Sequence, residues 1–175
     1  IRSCLVGSEM CIRDSSLLIK AFKIVSEQIN CKLIILGEGP EGPNLKRLCR
    51  DLEIDSKSIC FPGFIANPFP YMKACDLYVL SSLWEGLPNV LIQALACNCN
   101  IVSTDCDAGP REILEDGKWG RLIKVNDIDV LANAIIKELS SANQKYGDSN
   151  IGGLNRFNID KVTNQYLEAL ELRNV

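Results

Sequence analysis

The segment 81–96 carries the side chains that are best suited to bind a ligand. Glu85 and Gln93 lie eight residues apart, and Gly86 follows Glu85 directly. A carboxylate and an amide carbonyl both accept hydrogen bonds from hydroxyl groups, while glycine lets a ligand approach the backbone closely. Pro88 suits the first turn of a helix, where its missing N–H costs nothing. The pattern therefore predicts a polar binding loop that leads into a helix.

A buried strand and a helix are predicted on the two sides of this loop. Residues 77–80 form a continuous apolar run, which is typical of a parallel strand covered on both faces. Residues 88–96 follow, with apolar side chains at helical spacing. Ligands of open α/β sheets bind at the carboxyl ends of the strands, and helix N-termini favour anions such as phosphate. We therefore expect residues 85–87 to face an anionic ligand, with Gln93 directed at the same pocket.

Strands and helices alternate along the rest of the chain. Apolar spacing predicts further helices at 15–29, 44–52, 68–74, after 109–110, at 128–139 and from 160 onward. Further strands are predicted at 32–36, 59–61, 101–104 and 122–123. Asp127 and Asp160 are expected to cap the last two helices, and residues 140–155 form a polar stretch between them. This alternation indicates a single α/β domain, Rossmann-like, with a doubly wound parallel sheet.

Several motifs between Phe61 and Gly120 resemble, in order, those of a known family. They are Pro62-Gly63-Phe64, Asn67-Pro68, Ala74-Cys75-Asp76-Leu77, Ser81-Ser82, Glu85-Gly86-Leu87-Pro88-Asn89-Val90-Leu91, Ser103-Thr104-Asp105-Cys106 and Gly109-Pro110-Arg111-Glu112-Ile113-Leu114. The chain resembles the C-terminal, nucleotide-sugar-binding domain of a GT-B glycosyltransferase of the large retaining family 4, glycosyl transferases group 1. That family carries two glutamates eight residues apart. Here Gln93 replaces the second one.

The resemblance implies substrate-binding roles around the central loop. Glu85 would hydrogen-bond hydroxyl groups of the transferred sugar, and the backbone amides of Gly86 and Leu87 would meet the diphosphate. Gln93 stands where the family has a glutamate that binds the ribose. It keeps one carbonyl acceptor but loses the charge that strengthens such a contact.

The resemblance also implies the remaining features of the reaction. Backbone groups near Phe64 and Ile65 would line the nucleobase. No metal and no cofactor are expected, because basic groups and helix dipoles would stabilise the leaving nucleotide. The implied partners are a UDP- or GDP-linked sugar donor and a glycan or lipid-linked acceptor. A non-catalytic nucleotide-sugar-binding module is the alternative. A GT-B epimerase or phosphorylase is disfavoured, since the motifs around Glu85 match the transferases more closely.

Residues 1–14 are predicted to lie outside the domain, which leaves 15–175 as the donor-binding domain. The segment 3–14 resembles a translated sequencing adapter, and it has neither strand alternation nor a helical apolar stripe. Its apolar run is too short for a signal peptide. The family's diphosphate-binding Arg and Lys would fall in this non-native leader, and Arg13, which lies near that place, is given no role. With the family's N-terminal acceptor domain also missing, we expect an inactive fragment.

Composition excludes several other classes of protein. The 175 residues carry a net charge of −3, which does not favour binding to nucleic acid. No apolar run approaches the roughly 20 residues that span a bilayer. Nine cysteines without a histidine indicate reduced thiols in a cytoplasmic protein, rather than a disulfide framework or a zinc site. For the full-length protein, peripheral association with the inner face of the membrane is a second expected location. Asp105-Cys106-Asp107 spells a metal-binding D-x-D, but a turn before Gly109 is the favoured interpretation.

Overall fold

The computed structural model describes residues 2–7, 11–141 and 154–170. Its strands are β1 Arg2–Gly7, β2 Cys31–Leu36, β3 Ile59–Gly63, β4 Leu77–Leu80, β5 Ile101–Thr104 and β6 Arg121–Ile123. Its helices are α1 Cys11–Gln28, α2 Gly42–Asp51, α3 Phe69–Ala74, α4 Asn89–Ala96, α5 Pro110–Ile113, α6 Ile128–Ser140 and α7 Ile159–Ala169, with a 3₁₀ turn at Asn155–Phe157.

The six strands form one parallel sheet in the order β3-β2-β1-β4-β5-β6. The chain builds outward from β1 in one direction and from β4 in the other. This reversal between β1 and β4 is the topological switch point of a doubly wound sheet, where ligands bind at the carboxyl edge. The predicted α/β fold class is therefore confirmed.

The core of the domain is built on the central strands and the helices that cover them. All four residues of β4 are buried, because the strand is covered on both faces. Helix α1 contacts both α2 and α6, and α6 also touches β4, β5 and β6. Helix α4 packs on β5 and α5. This packing fixes the position of every loop at the carboxyl edge.

The prediction that residues 1–14 lie outside the fold is wrong. Arg2–Gly7 form β1 at the centre of the sheet, paired in parallel with both β2 and β4. Leu5 and Val6 are fully buried. The Ser3 amide and hydroxyl donate to the Asp76 carboxylate at 2.7 and 3.2 Å. The missing alternation was misleading, since a strand covered on both faces is apolar throughout. The non-native origin of this segment stays a prediction.

The other predicted elements are present, with shifts at several boundaries. Helix α1 begins at Cys11, four residues before the predicted start, and α4 begins one residue after Pro88. Asp127 caps α6 as predicted, because its carboxylate accepts the Val130 amide at 3.0 Å. The predicted Asp160 cap is wrong. Helix α7 starts earlier, and Asn158 accepts from its first amides. Most of the polar stretch 140–155 lies outside the described residues.

Two expectations from composition can be compared with the structure. The eight cysteines whose side chains are described are free thiols; the side chain of Cys11 is outside that set. Burial raises the pKa of the Cys4 and Cys31 thiols, so they stay protonated at neutral pH and pack as small apolar groups. Within the described ranges, every helix is too short or too polar to cross a lipid bilayer.

Removing the Leu5 side chain tests whether β1 is part of the folded core. Leu5 is 0% exposed, so Leu5→Ala is expected to lower the free energy of unfolding by about 2–5 kcal/mol. Lys32→Ala on neighbouring β2 is the control. Lys32 is exposed, and its loss should change stability by less than about 0.5 kcal/mol. Urea denaturation followed by circular dichroism measures both. Equal stability of the two variants would show that β1 is dispensable.

Candidate functional site

The loop at residues 81–88 lies at the carboxyl edge of the sheet, next to the switch point. It leaves β4 at Leu80 and enters α4 at Asn89. Strand β4 is the partner of β1, so this loop borders the crevice between the two halves of the sheet. Glu85 therefore lies where a parallel α/β sheet binds its ligands, which is the position predicted for it.

Hydrogen bonds from two other elements hold the first half of this loop. The Leu83 amide donates to the carboxylate of Asp14, in the first half of α1, at 2.9 Å. The hydroxyl of Thr104, at the end of β5, donates to the Ser82 carbonyl at 2.5 Å. The Ser82 hydroxyl in turn donates to Oε1 of Glu85 at 2.6 Å. Glu85 is therefore fixed through its side chain, as well as through the backbone.

Gly109 supports the second half of the same loop. Its φ is +88°, in the region that glycine tolerates and other residues rarely adopt. A Cβ at this position would overlap the carbonyl oxygen of Gly86 and Cδ of Pro88. Backbone at 86–88 therefore lies directly on Gly109. A Cβ added at Gly86 would meet only open space, so packing does not require a glycine at this position.

The N-terminus of α4 is open to a ligand. Pro88 occupies the cap position, and no side chain caps the first turn. Uncapped N–H groups at a helix start carry partial positive charge and bind anions well. Gly86 and Leu87 are exposed beside it and line an open cavity of about 700 Å³. Gln93 lies one turn further along α4 and is partly buried.

Charged side chains on the far side of this cavity neutralise one another. Arg111 forms ion pairs with Asp105 and with Asp116, the latter at 3.1 Å. These partners raise the pKa of Arg111, and the hydrogen bonds that Arg111 donates to Asp105 contribute most. No role was predicted for Arg111 from the sequence. The ion pair with Asp105 was missed because it joins a strand end to the next helix.

The D-x-D stretch takes part in this packing and does not gather into a metal centre. Asp105 is held by Arg111, and Asp107 is exposed. Among the described residues, no group of three or more His, Cys, Asp or Glu is arranged to hold a metal ion. Cys106 is buried close to Glu85, and burial raises the pKa of its thiol, with smaller contributions from the charges of Glu85 and Asp105.

A second cavity, of about 780 Å³, opens at the carboxyl ends of β2 and β3. Gly37, Glu38 and Gly63 line it, together with Lys46 and Arg50 of α2. Lys46 and Arg50 were not predicted as site residues, although their spacing of four residues places them on one face of a helix.

Phe64 and Ile65 follow β3 at this second cavity, away from the central loop. Phe64 is 61% exposed, and Ile65 is partly buried. Three strand spacings, roughly 14 Å, separate β3 from β4. The structure therefore brings Glu85, Gly86 and Leu87 together with Gln93 on one loop–helix unit. The remaining two predicted residues lie at the opposite end of the same edge.

An open, doubly wound sheet with polar loops at its carboxyl edge defines the Rossmann-like class of ligand-binding domains. Within that class, the chain belongs to the glycosyl transferases group 1 family, whose model matches residues 6–141. The match begins inside β1. It therefore includes part of the segment that had been expected to lie outside the domain.

A relative agrees with this membership, and solved structures share the fold. An uncharacterised glycosyltransferase of Methanocaldococcus jannaschii is 35% identical over 187 residues, covering 88% of this chain and 45% of the relative. A Rickettsia africae glycosyltransferase has the same fold, with a TM-score of 0.86 at 18% identity over 100% of this chain and 49% of its own. Anabaena HepE, solved in complex with UDP, gives a TM-score of 0.81 at 22% identity over 97% and 48%. The chain thus spans about half the length of these proteins, or slightly less.

Adding a methyl group at Gly109 tests how tightly the central loop is packed. Gly109→Ala is expected to lower the free energy of unfolding by about 2 kcal/mol or more, through the strained φ and the overlap with Gly86 and Pro88. Gly42→Ala at the start of α2 is the matched control, since open space surrounds it. That variant should be as stable as the parent or more stable by up to about 1 kcal/mol. Urea denaturation measures the free energy of unfolding of both variants. A Gly109→Ala variant as stable as the parent would mean that the loop at 86–88 shifts at little cost.

Proposed function

We propose that this chain is the donor-binding domain of a retaining glycosyltransferase. The parent protein would transfer a sugar from a UDP- or GDP-linked donor to a glycan or lipid-linked acceptor. The observation that carries the proposal is the uncapped N-terminus of α4 beside Glu85 at the switch point, in a chain of the group 1 family. The UDP complex of HepE, a protein of the same fold, supports the choice of donor.

The proposed donor lies along the carboxyl edge of the sheet. The diphosphate meets the amides of Gly86 and Leu87 and the positive end of α4, because these are the exposed donors of the central loop. The sugar hydroxyls bind Glu85, whose carboxylate is already held in one orientation by Ser82. Gln93, one turn into the helix, accepts from the ribose. This arrangement uses one loop–helix unit for sugar, phosphates and ribose.

The nucleobase is proposed to occupy the other end of the edge. Phe64 and Ile65 directly follow Gly63, which lines the second cavity together with Gly37, and these small residues leave backbone groups accessible. The ends of β4, β1, β2 and β3 span roughly 14 Å. An extended ligand fits this length, and a compact one would contact only one of the two groups of residues.

Catalysis is proposed to need no metal and no cofactor. Backbone amides and the α4 dipole supply positive potential at the leaving diphosphate, in the manner of an oxyanion hole. Because the chain spans about half of the relatives, we further propose that a missing N-terminal domain supplies the acceptor site and the remaining positive charge. The free thiols among the described residues support a cytoplasmic location, at which the full-length protein would also be able to contact the inner face of the membrane.

Binding and transfer assays separate an enzyme fragment from a simple binding module. The 175-residue chain is expected to bind UDP or GDP weakly and to transfer no sugar, since both cavities along the carboxyl edge are open to water in the described part of the chain. Fusion to the upstream half encoded by the parent gene should give transfer in the presence of EDTA. Glu85→Ala in that long form should reduce transfer at least roughly tenfold, through loss of a charge-assisted hydrogen bond.

Calorimetry and a radiolabelled transfer assay measure these outcomes. Glu27→Ala is the control, because Glu27 is exposed on α1 and pairs only with Lys23. Transfer by the 175-residue chain alone would contradict the fragment interpretation. A long form that binds donor and never transfers would favour the non-catalytic module.

Restoring the family's glutamate tests the ribose contact. Gln93→Glu is expected to tighten UDP or GDP binding roughly five- to tenfold, because an ionised acceptor makes a stronger hydrogen bond. Gln28→Glu, at the exposed end of α1, adds the same charge away from the edge and should change nothing. Saturation-transfer NMR and calorimetry measure the nucleotide affinity of both variants. An unchanged or weaker affinity in Gln93→Glu would place this side chain outside the ribose site.

A further inference from the structure

Ser82 is a buried hydroxyl directly behind Glu85. Its side chain is 3% exposed, and it donates to Oε1 of Glu85 at 2.6 Å. A hydroxyl that donates to a carboxylate makes a short, strong hydrogen bond with a preferred direction. The spacing Ser82-x-x-Glu85 resembles a helix capping box, but no helix begins at Ser82. This contact therefore orients a carboxylate at the candidate site and does not serve to cap a helix.

Thr104 fixes the backbone that carries this serine. It is the last residue of β5 and is fully buried. Its hydroxyl donates to the Ser82 carbonyl at 2.5 Å and lies 3.4 Å from the Leu80 carbonyl. The end of β5 is thus tied to the residue that holds Glu85. Strand β5 is buried throughout and paired on both sides, with β4 and β6, so the tie gives Ser82 a firm reference position.

Asp14 holds the next residue of the loop from the opposite side. Its carboxylate accepts the Leu83 amide at 2.9 Å. The loop is therefore tied to α1 and to β5 within two consecutive residues. A glutamate side chain in solution has several rotamers, and ordering it on ligand binding costs free energy. At this site, Ser82 has already selected one of them, and among contacts with described residues Oε2 is left open.

We propose that Ser82 is a positioning residue for donor-sugar recognition, with Thr104 as its support. The Ser82 hydroxyl occupies Oε1 of Glu85 and leaves Oε2 to accept a hydroxyl of the transferred sugar. This inference rests on the proposed function, since that function assigns Glu85 to the sugar. Ser82 touches neither sugar nor nucleotide, so its removal lowers affinity for the sugar part of the donor alone.

Binding of UDP and of complete donors to the 175-residue chain tests this role. The probes are UDP, UDP-N-acetylglucosamine, UDP-glucose and GDP-mannose, with saturation-transfer NMR to compare sugar and nucleobase protons of one ligand. Ser82→Ala is expected to weaken binding of the preferred complete donor roughly five- to tenfold and to reduce its sugar-proton signals. Affinity for the bare nucleoside diphosphate and the nucleobase signals should be unchanged.

Further variants separate positioning from a general structural effect. Thr104→Val should act in the same direction as Ser82→Ala, while Thr104→Ser, which keeps the hydroxyl, should restore sugar binding. The double variant Ser82→Ala with Glu85→Ala should bind no more weakly than Glu85→Ala alone, because Ser82 acts through Glu85. Ser26→Ala is the control, since it removes a half-buried hydroxyl on α1 that donates only to Lys23. If Ser82→Ala fails to fold, the comparison of Thr104→Val with Thr104→Ser tests the inference in its place.

Four results would overturn the inference. If Ser82→Ala and the parent chain bind the complete donor with equal affinity, Glu85 does not need the Ser82 hydroxyl to orient it. Equal losses of the bare nucleotide and of the complete donor would show a structural effect on the whole loop. A parent chain that binds the nucleotide without any sugar-proton signal would remove Glu85 from the sugar site. A parent chain that binds none of the probes would overturn the proposed function itself, together with this inference.

Discussion

The parallel pairing of β1 with β4 is the constraint on which the candidate site depends. Leu5 and Tyr78 are paired across these two strands, and both are fully buried. The chain winds away from this pair in both directions, and ligands of such sheets bind at the carboxyl ends of the two strands where the order reverses. Hydrophobic burial of two short strands therefore determines where the loop at 81–88 stands, before any polar contact at the site is made.

Three contacts from separate elements then make that loop a fixed part of the scaffold. Asp14 of α1 holds the Leu83 amide, Thr104 of β5 holds the Ser82 carbonyl, and Gly109 lies against Gly86. A loop held in this way loses little conformational entropy when a ligand binds. At the same time its tip stays exposed, with Trp84 82% accessible. The loop thus combines a rigid base with side chains that are free to meet another molecule.

The charges around this loop explain why the chain is proposed to act as part of a larger protein. Arg111 lines the cavity beside Gly86, but Asp105 and Asp116 neutralise it. Arg156 of the same cavity is also paired, with Glu115, so positive potential beside Gly86 comes mainly from backbone amides and the α4 dipole. Two phosphates need more compensation than one helix N-terminus provides. The proposed role as the donor-binding part of a longer protein fits this deficit, since the chain spans about half the length of its relatives.

Local patterns in the sequence determined the strand β4, the helix α4 and the position of Glu85 between them. They did so because apolar periodicity reports burial directly, and the position at the carboxyl edge follows from strand–loop–helix order. Only the tertiary structure decided the rest. Strand β1 lacks alternation because it is covered on both faces, and Ser82 could be linked to Thr104 only after β4 and β5 were paired. Arg111 meets Asp105 across a turn whose path depends on the positive φ of Gly109. These contacts join residues that packing brings together, and no periodicity along the chain encodes them.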